Sequence, residues 1–85
     1  MRHIIFPNDI SYIRKNKKLS QNKLSKIIGI SRPELSYIEN GHFLPEKNDL
    51  EKIAKELGVL VSELYSIKTL NIIIEMGNRN VWKKN

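Results

Sequence analysis

The sequence SQNKLSKIIGISRPELSYIENG, residues 20–41, decides the fold of this chain because it encodes two short helices in close succession. Ser20 can accept a hydrogen bond from the free N–H groups at the start of the first helix. Gly29 suits the left-handed conformation that commonly ends a helix. The apolar face of this helix has the i, i+3, i+4 spacing of a packed helix and consists of Leu24, Ile27 and Ile28.

The second helix begins almost immediately after the first one ends. Ser31 and Glu34 have the spacing of a capping box, in which each side chain can bind the backbone N–H of the other. Pro33 falls in the first turn, where its missing N–H removes no hydrogen bond. Only Gly29 and Ile30 separate the first helix from this cap, so the two helices must cross sharply, which predicts a helix-turn-helix. The buried side of the second helix is predicted to be Leu35 and Ile38.

Three further helices are predicted around this pair. The first covers residues 8–18, with Asn8 or Asp9 as its cap. A longer amphipathic helix follows the pair, and either Glu46 or Asn48 could cap it. A final short helix is indicated by the apolar residues Val61, Leu64 and Tyr65.

The two ends of the chain follow a different pattern. Apolar residues alternate strictly over residues 69–76, TLNIIIEM, which favours a strand. Residues 3–6, HIIF, could form a second short strand. The two strands could pair within one chain or between two chains. We therefore divide the chain into an N-terminal arm or short strand (1–7), a helix-turn-helix domain (8–66) and a C-terminal segment (67–85). The alternative for the C-terminal segment is a helix with an apolar face of Ile67, Leu70 and Ile74.

The charge of the chain is unevenly distributed along the sequence. Eight Lys and Arg side chains against one acid give residues 1–33 a net charge of +7. Residues 34–66 carry −4 and residues 67–85 carry +3, for a total of +6. This asymmetry suggests that one face is turned toward a polyanion, although an ordinary solvated surface would have the same composition.

Several classes of function have no support in the sequence. The absence of cysteine excludes disulfides and thiolate metal sites, and two histidines are too few to predict a metal centre. We find no glycine-rich phosphate loop and no nucleophile or acid–base motif, so we expect no catalysis and no cofactor. No apolar run approaches the ~20 residues of a membrane span, and the N-terminus has no signal-peptide core. We expect a soluble cytoplasmic protein.

A set of residues at fixed spacing between Ile10 and Tyr65 resembles the helix-turn-helix domain of phage repressors and Cro proteins, the xenobiotic-response-element-like regulators. The resemblance implies an all-α fold, a compact bundle of four or five helices, to which the short terminal strands would be added. It implies that residues 31–40 lie in the major groove of double-stranded DNA. The matching residues are Arg14, Ser20, Gln21, Leu24, Gly29, Ile30, Ser31, Leu35, Ile38, Glu39, Asn40, Gly41, Pro45, Leu57, Gly58, Val59, Leu64 and Tyr65.

Base readout is expected from the exposed face of this helix, formed by Arg32, Pro33, Ser36 and Tyr37. The Arg32 guanidinium could bind guanine O6 and N7 together, or contact a phosphate instead. The Tyr37 ring could pack on a thymine methyl, or its hydroxyl could reach a phosphate. Pro33 departs from the family, which usually has a polar residue there, and offers only van der Waals contact.

Phosphate contacts are expected mainly from residues beside the two helices. The resemblance assigns this role to Gln21 and Asn40, with local capping as the alternative, and Ser31 could hold a phosphate as well as cap its helix. Lys18 and Lys23 would add positive charge near the DNA backbone. The resemblance further implies that a partly buried ion pair ties the first helix to the recognition helix; its members are Arg14 and Glu39.

Two segments remain for contacts between proteins. The loop 42–44, His-Phe-Leu, departs from the polar or basic loop of the family, so Phe43 and Leu44 are expected to pack into the core or meet a partner. Residues 67–82 are expected to form a homodimer contact or to cover the domain's own core. The favoured function is a dimeric transcriptional repressor. The alternatives are an antitoxin whose tail masks a toxin, and a protein-binding adaptor that keeps the fold.

Overall fold

The computed structural model describes residues 5–83, with side chains described for residues 5–77. All regular structure in this part of the chain is helical, as the all-α prediction required. The pair that the sequence placed at the centre of the fold is α2 and α3, separated by three residues. In chain order the elements are α1 (Ile10–Asn16), α2 (Gln21–Ile28), α3 (Arg32–Glu39), α4 (Lys47–Leu57), a 3-10 turn (Val61–Glu63) and α5 (Ile67–Lys83).

The serine caps predicted at the starts of α2 and α3 are present, and Ser31 makes its half of the predicted capping box. The Ser20 hydroxyl accepts from the backbone N–H of Lys23 at 3.0 Å. The Ser31 hydroxyl accepts from the backbone N–H of Glu34 at 3.1 Å. Gly29 ends α2 with φ at 91°, in the left-handed region that glycine adopts without steric cost. The turn between the two helices is therefore specified locally, by Gly29 and the Ser31 hydroxyl.

The other helix ends settle the alternatives that the sequence left open. At α1, Asn8 makes the side-chain contact, because its Oδ1 accepts from the Ile10 N–H at 3.0 Å. Glu46 is the residue before α4, so the helix begins ahead of Asn48. The predicted fifth helix is a 3-10 turn. Leu60 precedes it and has no side-chain acceptor, and the Leu60 N–H donates to the Glu63 carboxylate at 2.7 Å.

The core is a single cluster to which every helix contributes. Helix α2 packs against α3 and α4, and α5 packs against α4 and the 3-10 turn. One predicted core position is wrong: Ile27 is 45% exposed, because α2 buries the narrower stripe formed by Leu24 and Ile28. The buried apolar residues are Ile10, Leu24, Ile28, Leu35, Ile38, Leu50, Ile53, Ala54, Leu57, Leu64, Tyr65 and Ile73.

The strand predicted over residues 69–76 is wrong, because this segment is the first half of α5. Its buried residues are Thr69 and Ile73, four apart, whereas Ile72 and Ile74 are 39% and 47% exposed. Alternation in the sequence therefore does not correspond to alternation in burial. A helix satisfies its backbone hydrogen bonds internally, whereas a strand requires a partner. Ser66 reinforces the helix start, with its hydroxyl accepting from the Thr69 N–H at 3.2 Å.

The N-terminal arm forms no strand in its described residues, so the predicted pairing of the two ends is also wrong there. Phe6 donates its N–H to the Gly41 carbonyl at 2.8 Å, at the end of α3. The Asn8 amide donates to the Ile38 carbonyl at 2.9 Å. The arm is thereby tied to the last turn of α3. His3 and Ile4 of the predicted strand lie outside the described residues.

Candidate nucleic-acid interface

Helix α3 presents the four predicted base-reading residues on its outer side. Leu35 and Ile38 face inward and are 0% and 1% exposed, so the side of the short helix opposite them faces solvent. The outer residues lie on consecutive helical turns, where positions four apart are neighbours. Three of them are exposed and Ser36 is half-buried; the set is Arg32, Pro33, Ser36 and Tyr37.

A buried ion pair joins α1 to the end of α3. The Arg14 guanidinium donates to both carboxylate oxygens of Glu39, from Nε at 2.7 Å and from Nη2 at 3.1 Å. The two side chains are 8% and 4% exposed. Arg14 Nη1 also donates to the Leu19 carbonyl at 2.9 Å, at the entry to α2. This two-bond geometry restricts rotation as well as distance, so it fixes α3 relative to α1 and α2.

Glu39 and Arg32 are further linked through Gln21, the first residue of α2. The Gln21 amide nitrogen donates to Glu39 Oε1 at 3.0 Å, and its oxygen accepts from Arg32 Nη1 at 3.2 Å. A carboxylate can only accept and a guanidinium can only donate, so these neighbours determine which way the amide points. Sequence reasoning assigned Gln21 to phosphate and Arg32 to a base, and missed that they contact each other. No local signal connects positions eleven residues apart.

The other predicted phosphate-binding residues lie at the two ends of α3, in the first turn of α2 and in the turn before α2. Ser31 uses its hydroxyl as the cap of α3, and Asn40 is the exposed residue at the other end. Lys23 is exposed in the first turn of α2. Lys18 is exposed in the turn before α2 and has a left-handed backbone, with φ at 57°. The predicted phosphate set therefore lies around the rim of the recognition helix, at the ends of α2 and α3.

The loop after α3 continues its surface with aromatic side chains. Phe43 is 50% exposed and packs on Tyr37, with ring centroids 5.0 Å apart. His42 makes an edge contact to the same tyrosine at 6.2 Å. Leu44 is half-buried against the core, so the predicted core packing of the loop applies to Leu44 and not to Phe43. The contact between Phe43 and Tyr37 was not foreseen, although their separation of six residues across a glycine permits it.

Other kinds of site have little support in the structure. Among the residues it describes, no group of three or more His, Asp or Glu side chains is placed to hold a metal ion. No helix in the described part of the chain is long and apolar enough to cross a membrane.

Comparison with known proteins identifies the class to which this surface belongs. The helix-turn-helix family matches residues 10–64, which include α1 to α4 and the 3-10 turn. The chain belongs to the helix-turn-helix family, and the predicted resemblance to phage repressors is confirmed.

Individual relatives support the same assignment. The chain is 49% identical over 41 residues to the ImmF control region 10 kDa protein of Bacillus phage phi105, covering 48% of this chain and 46% of that protein. It is 38% identical over 61 residues to the Immunity repressor protein of the same phage, covering 72% and 42%. This chain thus spans less than half the length of either phage relative.

A solved structure has the same arrangement of helices. The restriction-modification controller protein C.AhdI from Aeromonas hydrophila is 26% identical to this chain and superposes with a TM-score of 0.59. The similarity covers 64% of this chain and 82% of that one.

Proposed function

We propose that this chain binds double-stranded DNA sequence-specifically and acts as a transcriptional repressor. The observation that carries the proposal is the outer face of α3, which is exposed while its position is fixed by the buried pair of Arg14 and Glu39. A helix held in this way can enter the major groove without rearrangement. Because Glu39 is neutralised by Arg14, its charge does not oppose the approach of a phosphate.

Sequence readout is assigned first to Arg32. A guanidinium has five N–H donors, and the bond to Gln21 uses one of them. Arg32 can therefore keep Gln21 as a support while it donates two hydrogen bonds to guanine. Pro33 and Tyr37 would add apolar contact, and Ser36 would add a hydroxyl that either donates or accepts.

Phosphate binding is assigned to the rim around α3. Gln21 begins α2, so the N–H groups and positive dipole end of that helix lie beside its amide. Ser31 and Asn40 occupy the two ends of α3, and Lys18 and Lys23 add charges that would release counterions on binding. These contacts would fix the register of the protein without discriminating between sequences.

We further propose that the protein acts as a homodimer formed through residues 67–82. A short recognition helix reads few base pairs, and symmetric dimers reach two half-sites about one DNA turn apart. The support is apolar exposure along α5: Ile67 is 67% exposed and Ile74, two turns later, is 47% exposed. A toxin or another protein on this face is the alternative occupant. Such a regulator needs neither a cofactor nor catalysis, and would act in the cytoplasm.

The test is selection of binding sites from a random duplex pool at physiological salt, with sedimentation of the protein and of its complex. We expect enrichment of a palindrome with half-sites one turn apart, bound by a dimer. Arg32→Ala is the matched variant, and it should enrich a site degenerate at one position in each half. Weak, salt-sensitive binding without enrichment would contradict the proposal and favour the adaptor or antitoxin alternatives.

A further inference from the structure

An exposed aromatic cluster lies at the end of α3, and its loop members His42 and Phe43 have no role in the proposed function. It consists of Tyr37, His42 and Phe43. The rings of Tyr37 and Phe43 are tilted by 42° with centroids 5.0 Å apart, and each residue is half exposed. Their mutual packing leaves an apolar surface open on the outside of the molecule.

The loop holds Phe43 against α3 in a defined position. The backbone N–H groups of His42 and Phe43 both donate to the Tyr37 carbonyl, at 2.9 and 3.4 Å. Gly41 makes the preceding turn with φ at 84°, and Pro45 is buried two residues after Phe43. The backbone is thus held on both sides of Phe43, and the Phe43 ring lies half exposed against Tyr37.

This cluster extends the proposed base-reading face beyond the last turn of α3. Tyr37 lies one turn after Pro33 on the same side of the helix, and Phe43 continues the surface from Tyr37. Neither Pro33 nor Phe43 has a side-chain hydrogen-bonding atom, so the Tyr37 hydroxyl is the polar group among these three side chains. The three residues of the cluster carry no carboxylate, and the exposed carboxylate of α3, Glu34, lies three positions before Tyr37.

We infer that Phe43, packed on Tyr37, makes this end of the reading face a recognition surface for the C5 methyl group of thymine. This inference rests on the proposed function. The methyl group is the apolar feature of the base edges in the major groove, and it distinguishes a thymine from a cytosine at the same place. Two tilted aromatic rings offer the concave apolar contact that removes such a group from water. His42 at the edge of the cluster supplies a donor for the neighbouring phosphate.

The test exchanges thymine for uracil, which pairs identically and lacks only the C5 methyl. Site selection is run with the full chain on two random pools, one amplified with thymine and one with uracil. Individual duplexes from the enriched site are then titrated with thymine replaced by uracil at one position at a time. We expect one or two positions in each half-site at which the replacement weakens binding about fourfold, corresponding to ~0.8 kcal/mol for a buried methyl-sized group.

Variants then assign the effect to the cluster. The uracil penalty is the ratio of the affinity for the thymine duplex to the affinity for the uracil duplex. In Phe43→Ala this ratio should fall toward one at those positions, because the surface that covers the methyl group is lost. Tyr12→Ala is the matched control, since Tyr12 is an aromatic residue on α1 that is 70% exposed. It should retain the full uracil penalty. Circular dichroism and thermal unfolding of both variants establish that they are folded.

Each contrary result has a distinct meaning. Specific binding that is indifferent to uracil at every position would overturn the methyl inference and leave the proposed function intact. A uracil penalty that persists in folded Phe43→Ala would show that the methyl is read elsewhere, which also overturns it. Equal weakening of thymine and uracil duplexes by Phe43→Ala would make Phe43 a support for the loop only. Failure to bind any specific DNA would overturn the proposed function itself.

Discussion

Arg14 and Glu39 form a two-bond ion pair at 2.7 and 3.1 Å in an almost fully buried position. Arg14 lies on α1 and Glu39 is the last residue of α3, so this one contact joins the helix before the helix-turn-helix to the end of its second helix. The pair also supports Gln21, through which it is connected to the exposed Arg32. Removal of either member should therefore affect stability first and recognition second.

Glu39→Gln should lower the free energy of unfolding by about 3 kcal/mol, because it leaves the Arg14 charge buried without a carboxylate. Urea unfolding followed by circular dichroism measures the change. The double variant Arg14→Met with Glu39→Gln is the control, since it leaves no buried charge unpaired. Its loss should be smaller than the sum of the two single losses. Additive losses would mean that the two side chains are not coupled.

Arg32→Ala and Lys23→Ala should weaken DNA binding in different ways. Arg32→Ala should cost roughly 1–3 kcal/mol on the preferred site and relax specificity at one base position. Lys23→Ala should weaken binding to all duplexes about equally and reduce the salt slope by about one unit. Titrations of specific and random duplexes over a series of salt concentrations separate the two. If both variants lost affinity equally on both duplexes, Arg32 would be a phosphate ligand.

Tyr65→Phe should stabilise the protein, because the Tyr65 hydroxyl is buried and has no hydrogen-bond partner among the described residues. Removal of an unsatisfied buried hydroxyl is expected to gain about 1 kcal/mol. Thermal and urea unfolding at neutral pH measure it. An unchanged or lower stability would reveal a hydrogen bond to this hydroxyl.

The same substitution should alter the dependence of stability on alkaline pH. Burial raises the pKa of Tyr65 above its ordinary value of 10.0. At a pH above the pKa of Tyr65 in the unfolded chain and below its higher pKa in the folded protein, the unfolded chain loses the phenolic proton and the folded protein keeps it. The free energy of unfolding therefore falls as the pH rises above about 10. The fall attributable to Tyr65 is about 1.4 kcal/mol per pH unit. The difference between wild type and Tyr65→Phe isolates it from lysine titration, and parallel curves would contradict it.

Ile73→Ala and Ile74→Ala affect adjacent residues of α5 but should change different properties. The first should lower the stability of the fold, and the second should weaken the dimer. Ile73 is 1% exposed, so its truncation leaves a cavity and should cost roughly 2–4 kcal/mol. Ile74 is 47% exposed, and its truncation should change stability by less than about 0.5 kcal/mol. Sedimentation should show that Ile74→Ala dissociates more readily than wild type. An unchanged dimer would place the subunit contact elsewhere.

The parts of this fold that could be predicted depend on interactions between near neighbours in the sequence. The hydroxyls of Ser20 and Ser31 bind N–H groups three residues away, and both caps were expected. The inward positions of Leu35 and Ile38 follow from helical spacing, which also places the reading residues outside. These are short-range constraints, and their effect does not depend on the rest of the molecule.

The features that escaped prediction depend on tertiary contacts. Alternation over residues 69–76 indicated a strand, yet Thr69 and Ile73 pack on the core as one side of a helix. Gln21 and Arg32 could each be assigned to DNA, but only their folded positions reveal the bond between them. The ion pair of Arg14 and Glu39 was expected through family resemblance and not from spacing, since twenty-five residues separate the two.

The tie between the N-terminal arm and the end of α3 has a thermodynamic consequence. Phe6 bonds Gly41 and Asn8 bonds Ile38, so the last turn of the helix is held from outside as well as by its own backbone. The space above Gly41 is already filled, since a Cβ there would lie 2.6 Å from Ile5 Cγ2. A helix secured in this way pays little ordering entropy when it docks. The heat-capacity change of docking should then match rigid-body burial of the contact surface, without the larger negative value of coupled folding.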